Sequence, residues 1–164
     1  MTQLSPGSVA PQFALSDASG AIVRLADYPS QTVIVYFYPA AMTPGCTVQA
    51  VDFSAALDEF EEAGFEIIGI SPDTVEKLQK FIAKKHLRLK LLADPDHEAI
   101  SAYGVWGTKV LYGKELEGLI RSTFIIDVDE NGRGTVREAR YNVRATGHVA
   151  KLRRELGIAT PARR

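Results

Sequence analysis

Four short runs of β-branched, aliphatic and aromatic residues alternate along this chain with helical patterns, and that alternation restricts the fold more than any other feature. Thr32 to Tyr38 reads TVIVYFY and stops at Pro39; an unbroken run of this kind suits a central strand buried on both faces. Phe65 to Ile70 is a second such run, closed by Ser71-Pro72-Asp73. Leu89 to Ala93 is a third, closed by Asp94-Pro95, and Thr123 to Asp127 is a fourth. Between them, residues 44–63 carry Phe53, Leu57 and Phe60 at helical spacing and end at Gly64. Residues 74–86 place Val75, Leu78 and Ile82 on one face, 96–103 read as a short helix, and 146–156 repeat the pattern with Val149, Leu152 and Leu156.

Strands that alternate with helices imply a layered α/β fold. Residues 1–10 read as an extended lead-in. Residues 10–17 and 22–25, on either side of Gly20, form a hairpin at the start of the chain. Asn131-Gly132 signals another hairpin, with Val136 to Tyr141 returning as a strand, so the central sheet is expected to be mixed. Residues 104–118, with glycines at 104, 107, 113 and 118, read as a long loop. No repeat or linker interrupts the pattern. Residues 1–164 are expected to form a single domain, with a frayed polar tail over 160–164.

The net charge of −1 gives no electrostatic reason to expect nucleic acid or an anionic membrane as partner. Met1 to Gly7 has neither a basic nor an apolar stretch of the signal-peptide kind, and the apolar runs are strand-sized. A cytoplasmic protein is therefore expected. The sequence holds one cysteine, Cys46, so no intramolecular disulfide supports the fold and no Cys-x-x-Cys dithiol is present. A lone cysteine is either a small buried hydrophobe or a nucleophile, and its neighbours decide.

Those neighbours are Pro39-Ala40-Ala41-Met42-Thr43-Pro44-Gly45-Cys46-Thr47, which follow the first buried run and open a helix. Thr43 suits the N-cap and Pro44 the first helical position, which puts Cys46 at N3. Unpaired first-turn amides and the positive end of the helix dipole favour a thiolate there. The same groups suit the negative charge that develops on a bound oxygen.

The segment resembles the peroxiredoxin motif Pro-x-x-x-Thr-x-x-Cys, carried here by Pro39, Thr43 and Cys46, and FYPAAMTPGCT is similar to the bacterioferritin-comigratory or Q-type branch. The resemblance extends to Gly7-x-x-Ala10-Pro11-x-Phe13, to Gly69-Ile70-Ser71-Pro72-Asp73, to Tyr103-Gly104-Val105-Trp106-Gly107 and to Arg121-Ser122-Thr123-Phe124-Ile125-Ile126-Asp127. It implies a thioredoxin-like fold and a thiol-dependent peroxidase that needs neither metal nor bound cofactor. Cys46 would be the peroxidatic nucleophile and would pass through a sulfenic acid. Thr43 would position the peroxide, and Arg121 would favour the thiolate and the charge spreading over the O–O bond. Pro39 would shield the site from water. The backbone N–H groups of Gly45 and Cys46 would complete substrate binding. Taken singly, each has a plainer reading: a strand terminator, an N-cap, a surface arginine.

Many members of that branch place a resolving cysteine five residues after the first. Here that position is Val51, so resolution is expected to come from an external thiol: thioredoxin, a glutaredoxin-like protein or a low-molecular-weight thiol. Cys46 is then expected to over-oxidise readily under excess peroxide. A monomer or weak homodimer is expected. Two competing readings are a peroxide sensor that passes oxidation to a partner and a non-catalytic binding module on the same fold.

His86, His97 and His148 share no metal-type spacing and read as surface histidines. The glycines of 104–118 lack phosphate-loop spacing. Trp106 and Tyr112 read as cover for the edge of the core, and Lys151 to Arg154 as the solvated face of the last helix.

Overall fold

In the computed structural model, which describes residues 3–111 and 113–158, a seven-stranded mixed sheet runs in the order β2-β1-β5-β4-β3-β8-β9. The strands are β1 (Ala14–Asp17), β2 (Ile22–Arg24), β3 (Thr32–Phe37), β4 (Phe65–Ser71), β5 (Lys90–Ala93), β8 (Ser122–Val128) and β9 (Gly134–Arg140). A separate two-stranded ribbon is made by β6 (Trp106–Leu111) and β7 (Lys114–Leu119). The helices are α1 (Pro44–Glu62), α2 (Val75–Lys85), α3 (Glu98–Ala102) and α4 (His148–Glu155). β3, β4 and β5 are parallel to one another, and β8, β9, β1 and β2 add antiparallel pairings on either side. This is the mixed thioredoxin-like sheet that the sequence implies.

The apolar runs are explained by burial on both faces. In β3, Val33, Val35 and Phe37 enter the core that Tyr103 and Ile100 of the α3 region close, while Ile34 and Tyr36 enter the core closed by α1, α2 and α4. Tyr36 stacks on Phe53 of α1 with ring centroids 4.6 Å apart. Its ring crosses Gly69 of the paired strand so closely that a Cβ there would stand 2.8 Å from the Tyr36 Cζ and 2.7 Å from Leu91. Only glycine fits this crossing. α2 follows its sequence signals: Thr74 caps it by accepting from the Lys77 amide, Glu76 lies in the first turn, and Lys84 and Lys85 lie in the last.

The lead-in is bound to the sheet. The Gly7 amide donates to the Val136 carbonyl and the Ala10 amide to that of Gly134, which covers part of the β9 edge. The long loop expected over 104–118 is instead the β6–β7 hairpin. Gly107 and Gly118 face each other across it; a Cβ on Gly118 would stand 2.9 Å from the Lys109 Cε, and Gly113 turns with φ +75°. Of the glycines that read as breakers, Gly107 and Gly118 are cross-strand partners, while Gly104 and Gly113 take positive φ. Trp106 packs on the core edge, and its ring lies tilted against that of His97 with centroids 4.7 Å apart. Tyr112 and the expected tail over 160–164 lie outside the described residues. No helix among the described residues is long and apolar enough to cross a membrane.

His86 is exposed, as expected, but His148 is not a surface residue. It is only 5% exposed, and its Nε2 lies 2.9 Å from the Thr123 hydroxyl of β8. Position N1 of α4 turns this side chain inward toward the sheet, which periodicity in Val149 and Leu152 did not reveal.

Candidate active site

β3 and β8 are antiparallel, with Phe37 opposite Ser122. The carboxyl end of β3, where the chain turns into α1, therefore lies beside the amino end of β8, and Arg121 just before β8 is carried to the first turn of α1. Strand pairing accounts for a contact that spans 75 residues of sequence. The Val143 amide donates to the Arg121 carbonyl at 2.9 Å, which fixes the backbone of this arginine from the far side.

α1 starts as its sequence requires. Thr43 is the N-cap, with φ −82° and ψ 155°, and Pro44 is N1, so Cys46 is N3. The first i→i−4 bond is Thr47 N–H to the Thr43 carbonyl at 2.9 Å, which leaves the preceding amides of Gly45 and Cys46 ahead of the helical ladder. The Thr43 hydroxyl does not cap the helix. It donates to the Ala40 carbonyl at 2.8 Å, and Thr43 itself is exposed.

Cys46 is 1% exposed. The Arg121 Nη2 donates to its Sγ at 3.2 Å, and Nη1 donates to the Gln49 Oε1 at 2.6 Å. Gly45 lies under the guanidinium: a Cβ there would stand 3.2 Å from Nη2 and 3.5 Å from the Ala145 Cβ. Pro39 is half-buried beyond the end of β3. Of the expected residues, the structure brings Cys46, Gly45 and Arg121 into direct proximity, with Thr43 at the cap of the same turn and Pro39 at the end of the preceding strand. Val51 is 40% exposed on α1.

Gln49 is a site residue that no motif in the sequence marks. It is fully buried, one helical step of three residues beyond Cys46, and it orients Arg121. Its signal is a polar side chain on the apolar stripe of Cys46, Ala50 and Phe53. Burial raises the Tyr36 hydroxyl well above its ordinary range, and Tyr38 shifts the same way for the same reason, so the sheet beneath the site presents neutral phenols. The charge of the site is carried by Arg121. A buried sulfur at a helix N-terminus, held by a guanidinium and bordered by free amides, can act as a nucleophile on an oxygen that departs with negative charge. No group of three or more His, Cys, Asp or Glu side chains among the described residues could hold a metal ion.

The AhpC/TSA family model matches residues 6–138. A Mycobacterium tuberculosis protein named as a peroxiredoxin is 54% identical over 157 residues, 96% of this chain and 98% of its own length. Peroxiredoxin Bcp of Escherichia coli is 47% identical over 129 residues, 79% of this chain and 83% of that one. Among solved structures, peroxiredoxin Q of Xanthomonas campestris superposes with a TM-score of 0.81 at 33% identity, covering 95% of this chain and 96% of that chain. A structure of the X. campestris bacterioferritin comigratory protein superposes at 0.80 with 32% identity, covering 95% of this chain and 96% of its own, and is described in terms of that protein's alkyl peroxide reduction. A family match over most of the length, joined by relatives that align nearly end to end, leaves one assignment: the chain belongs to the AhpC/TSA family, in the Bcp and peroxiredoxin Q branch of thiol-dependent peroxidases.

Proposed function

We propose that this peroxidase works through a one-cysteine cycle centred on Cys46, and the Arg121 donation to the Cys46 sulfur at 3.2 Å is the observation that carries the reading. The Cys46 thiolate attacks the terminal oxygen of ROOH along the O–O axis. The S–O bond forms as the O–O bond breaks, and RO⁻ leaves to be protonated as ROH, or water when the peroxide is H₂O₂. Arg121 favours the thiolate and then the charge on the two oxygens. The Gly45 and Cys46 amides and the Thr43 hydroxyl bind the peroxide, and Pro39 excludes water. Alkyl hydroperoxides are substrates beside H₂O₂ in this reading, in keeping with the activity described for the Xanthomonas relative.

Resolution falls to an external thiol, because Cys46 is the one cysteine of the sequence and Val51 stands five residues on. A thioredoxin, a glutaredoxin-like protein or a low-molecular-weight thiol attacks the sulfenate sulfur, water leaves, and a second thiol reduces the mixed disulfide. The protein acts in this scheme as a cytoplasmic monomer or weak homodimer, without a metal, a bound cofactor, nucleic acid or a membrane. A reducing compartment supplies the electrons that the cycle consumes.

The test is a single turnover. Reduced protein is mixed with one equivalent of H₂O₂ without reductant, and the Cys46 thiol is followed against a Cys46→Ser blank, with sulfenate trapping read by mass spectrometry. The expected outcome is thiol loss far faster than a free thiol at the same pH, with the sulfenate on Cys46. Loss at the free-thiol rate would refute the reading.

A further inference from the structure

The stretch Gly69-Ile70-Ser71-Pro72-Asp73 takes no part in the chemistry above, yet its last residue reaches the catalytic turn. Asp73 follows β4 and is 8% exposed. Its Oδ2 accepts two hydrogen bonds, from the Ala41 amide at 2.7 Å and from the Ser71 hydroxyl at 2.8 Å. The Ser71 oxygen in turn accepts from the Asp73 amide at 3.3 Å. Ala41 lies in the turn between β3 and α1, two residues before Thr43.

That turn needs an external hold. Met42, between Ala41 and Thr43, has φ +65°, a left-handed conformation that costs a non-glycine residue energy and persists only where its surroundings impose it. The Met42 side chain is 40% exposed, so its own packing does not impose the shape. Upstream, the Tyr38 amide donates to the Ile70 carbonyl at 3.1 Å, and downstream α1 begins. Between those two ends, Asp73 is the one side chain from another element, among the described residues, with a hydrogen bond to the backbone of residues 39–43. A carboxylate oxygen is a strong acceptor for a backbone N–H, and here the Ser71 hydroxyl fixes its direction.

We propose that Asp73 is a positioning residue of the peroxidase site: anchored by Ser71, it holds the Ala41 amide and thereby the turn that carries Pro39 and Thr43 to Cys46. The assignment rests on the function proposed above. Its consequence is selective. Peroxide must be aligned by that turn, whereas a small uncharged alkylating agent needs only a reachable thiolate.

The test compares two rate constants at Cys46 in the full-length protein, for H₂O₂ and for iodoacetamide, at one pH and at a temperature where circular dichroism shows each variant folded. Asp73→Ala is expected to slow peroxide by about 10- to 100-fold, the scale of lost alignment, while iodoacetamide stays within about threefold of wild type. Asp73→Asn keeps an oxygen for the Ala41 amide and is expected to recover most of the peroxide rate. The assignment is overturned if Asp73→Ala meets peroxide at the wild-type rate, or if both reagents slow by the same factor, which would mark general damage to the cysteine's surroundings. Should Asp73→Ala fail to fold, Ser71→Ala decides: a lowered ratio of peroxide to iodoacetamide rate supports the anchor, and an unchanged ratio overturns it. A wild-type protein that meets peroxide no faster than a free thiol removes the peroxidase reading and this one together. A fast wild type with an equally fast Asp73→Ala removes this one alone.

Discussion

The Arg121 guanidinium spends its terminal nitrogens on different partners, Nη2 on the Cys46 sulfur and Nη1 on the Gln49 carbonyl oxygen. A planar fork can serve both at once, but an ammonium is a point charge on a flexible stem and cannot hold the same geometry. Arg121→Lys should therefore keep the positive charge and still consume peroxide about 10- to 100-fold more slowly, a loss of roughly 1.4–2.8 kcal/mol in transition-state stabilisation. Stopped-flow thiol consumption reads this directly, and a lysine variant at the wild-type rate would show that charge alone suffices. Gln49 separates rate from stability. Its Nε2 is buried with no hydrogen-bond partner among the described residues, so the side chain already carries a desolvation cost beside the bond it gives Arg121. Gln49→Leu removes both, and folding stability should change by only about 1 kcal/mol while the peroxide rate falls about fivefold. Chemical denaturation beside the same stopped-flow assay tests the split. A variant that loses much stability and no rate would make Gln49 a packing residue.

In α1, Cys46 and Val51 sit on one continuous helix, and that decides what a second cysteine would do. Five residues of helix separate two Cα atoms by about 7.5 Å along the axis and turn them roughly 140° apart, beyond the reach of a disulfide. Val51→Cys is expected to form an intramolecular disulfide after one equivalent of peroxide only by unwinding the first turns of α1. Intact mass should fall by about 2 Da relative to the reduced protein, with a reversible loss of far-ultraviolet helical signal. A disulfide formed with the helical signal intact would contradict the geometry. The start of α1 is legible because it is local: Pro44 at N1 and Cys46 at N3 need no knowledge of the rest of the chain. The runs of β3, β4 and β8 are legible because burial on both faces leaves a continuous apolar signature. What local reading cannot supply is contact across the sheet. Gln49 matters because of Arg121, 72 residues later, and Asp73 because of Ala41, 32 residues earlier. The β6–β7 ribbon was hidden by two glycines whose partners are each other, and His148 by a hydroxyl on a distant strand.

The whole molecule closes two cores over one sheet, and α4 is fastened to the second of them by a buried titratable group. His148 stands 2.9 Å from the Thr123 hydroxyl and meets the Phe53 ring edge-on at 6.2 Å. Burial pushes its imidazole down to about 4, and Arg140 and Arg121 push the same way, with Lys151; Glu155 opposes them. Arg140 is itself paired with Glu138 and Glu155, which weakens its influence. The folded protein therefore keeps His148 neutral at a pH where the unfolded chain, near 6.5, already binds a proton. Stability from this residue is fully present above the unfolded value and is lost as pH falls through about 6.5 toward about 4, below which both states are protonated and the loss is complete. At about 1.36 kcal/mol per pH unit the loss is on the order of 3 kcal/mol. Asp17 and Asp127 titrate below the ordinary carboxylate range, Asp17 through bonds from Ser19 and Ala21 that outweigh its burial and Asp127 chiefly through Arg137, so their contributions are lost at lower pH. The raised carboxyls of Asp52 and Glu66 pull the opposite way, toward greater stability in acid. A variant that leaves every carboxylate in place isolates the histidine. His148→Gln offers Thr123 a neutral amide near the position of Nε2 and has no proton to take up. Urea unfolding between pH 7 and pH 4.5 should show wild type losing about 2–3 kcal/mol more than His148→Gln. Parallel pH curves for the two proteins would mean that His148 is protonated in place and that burial does not hold it neutral.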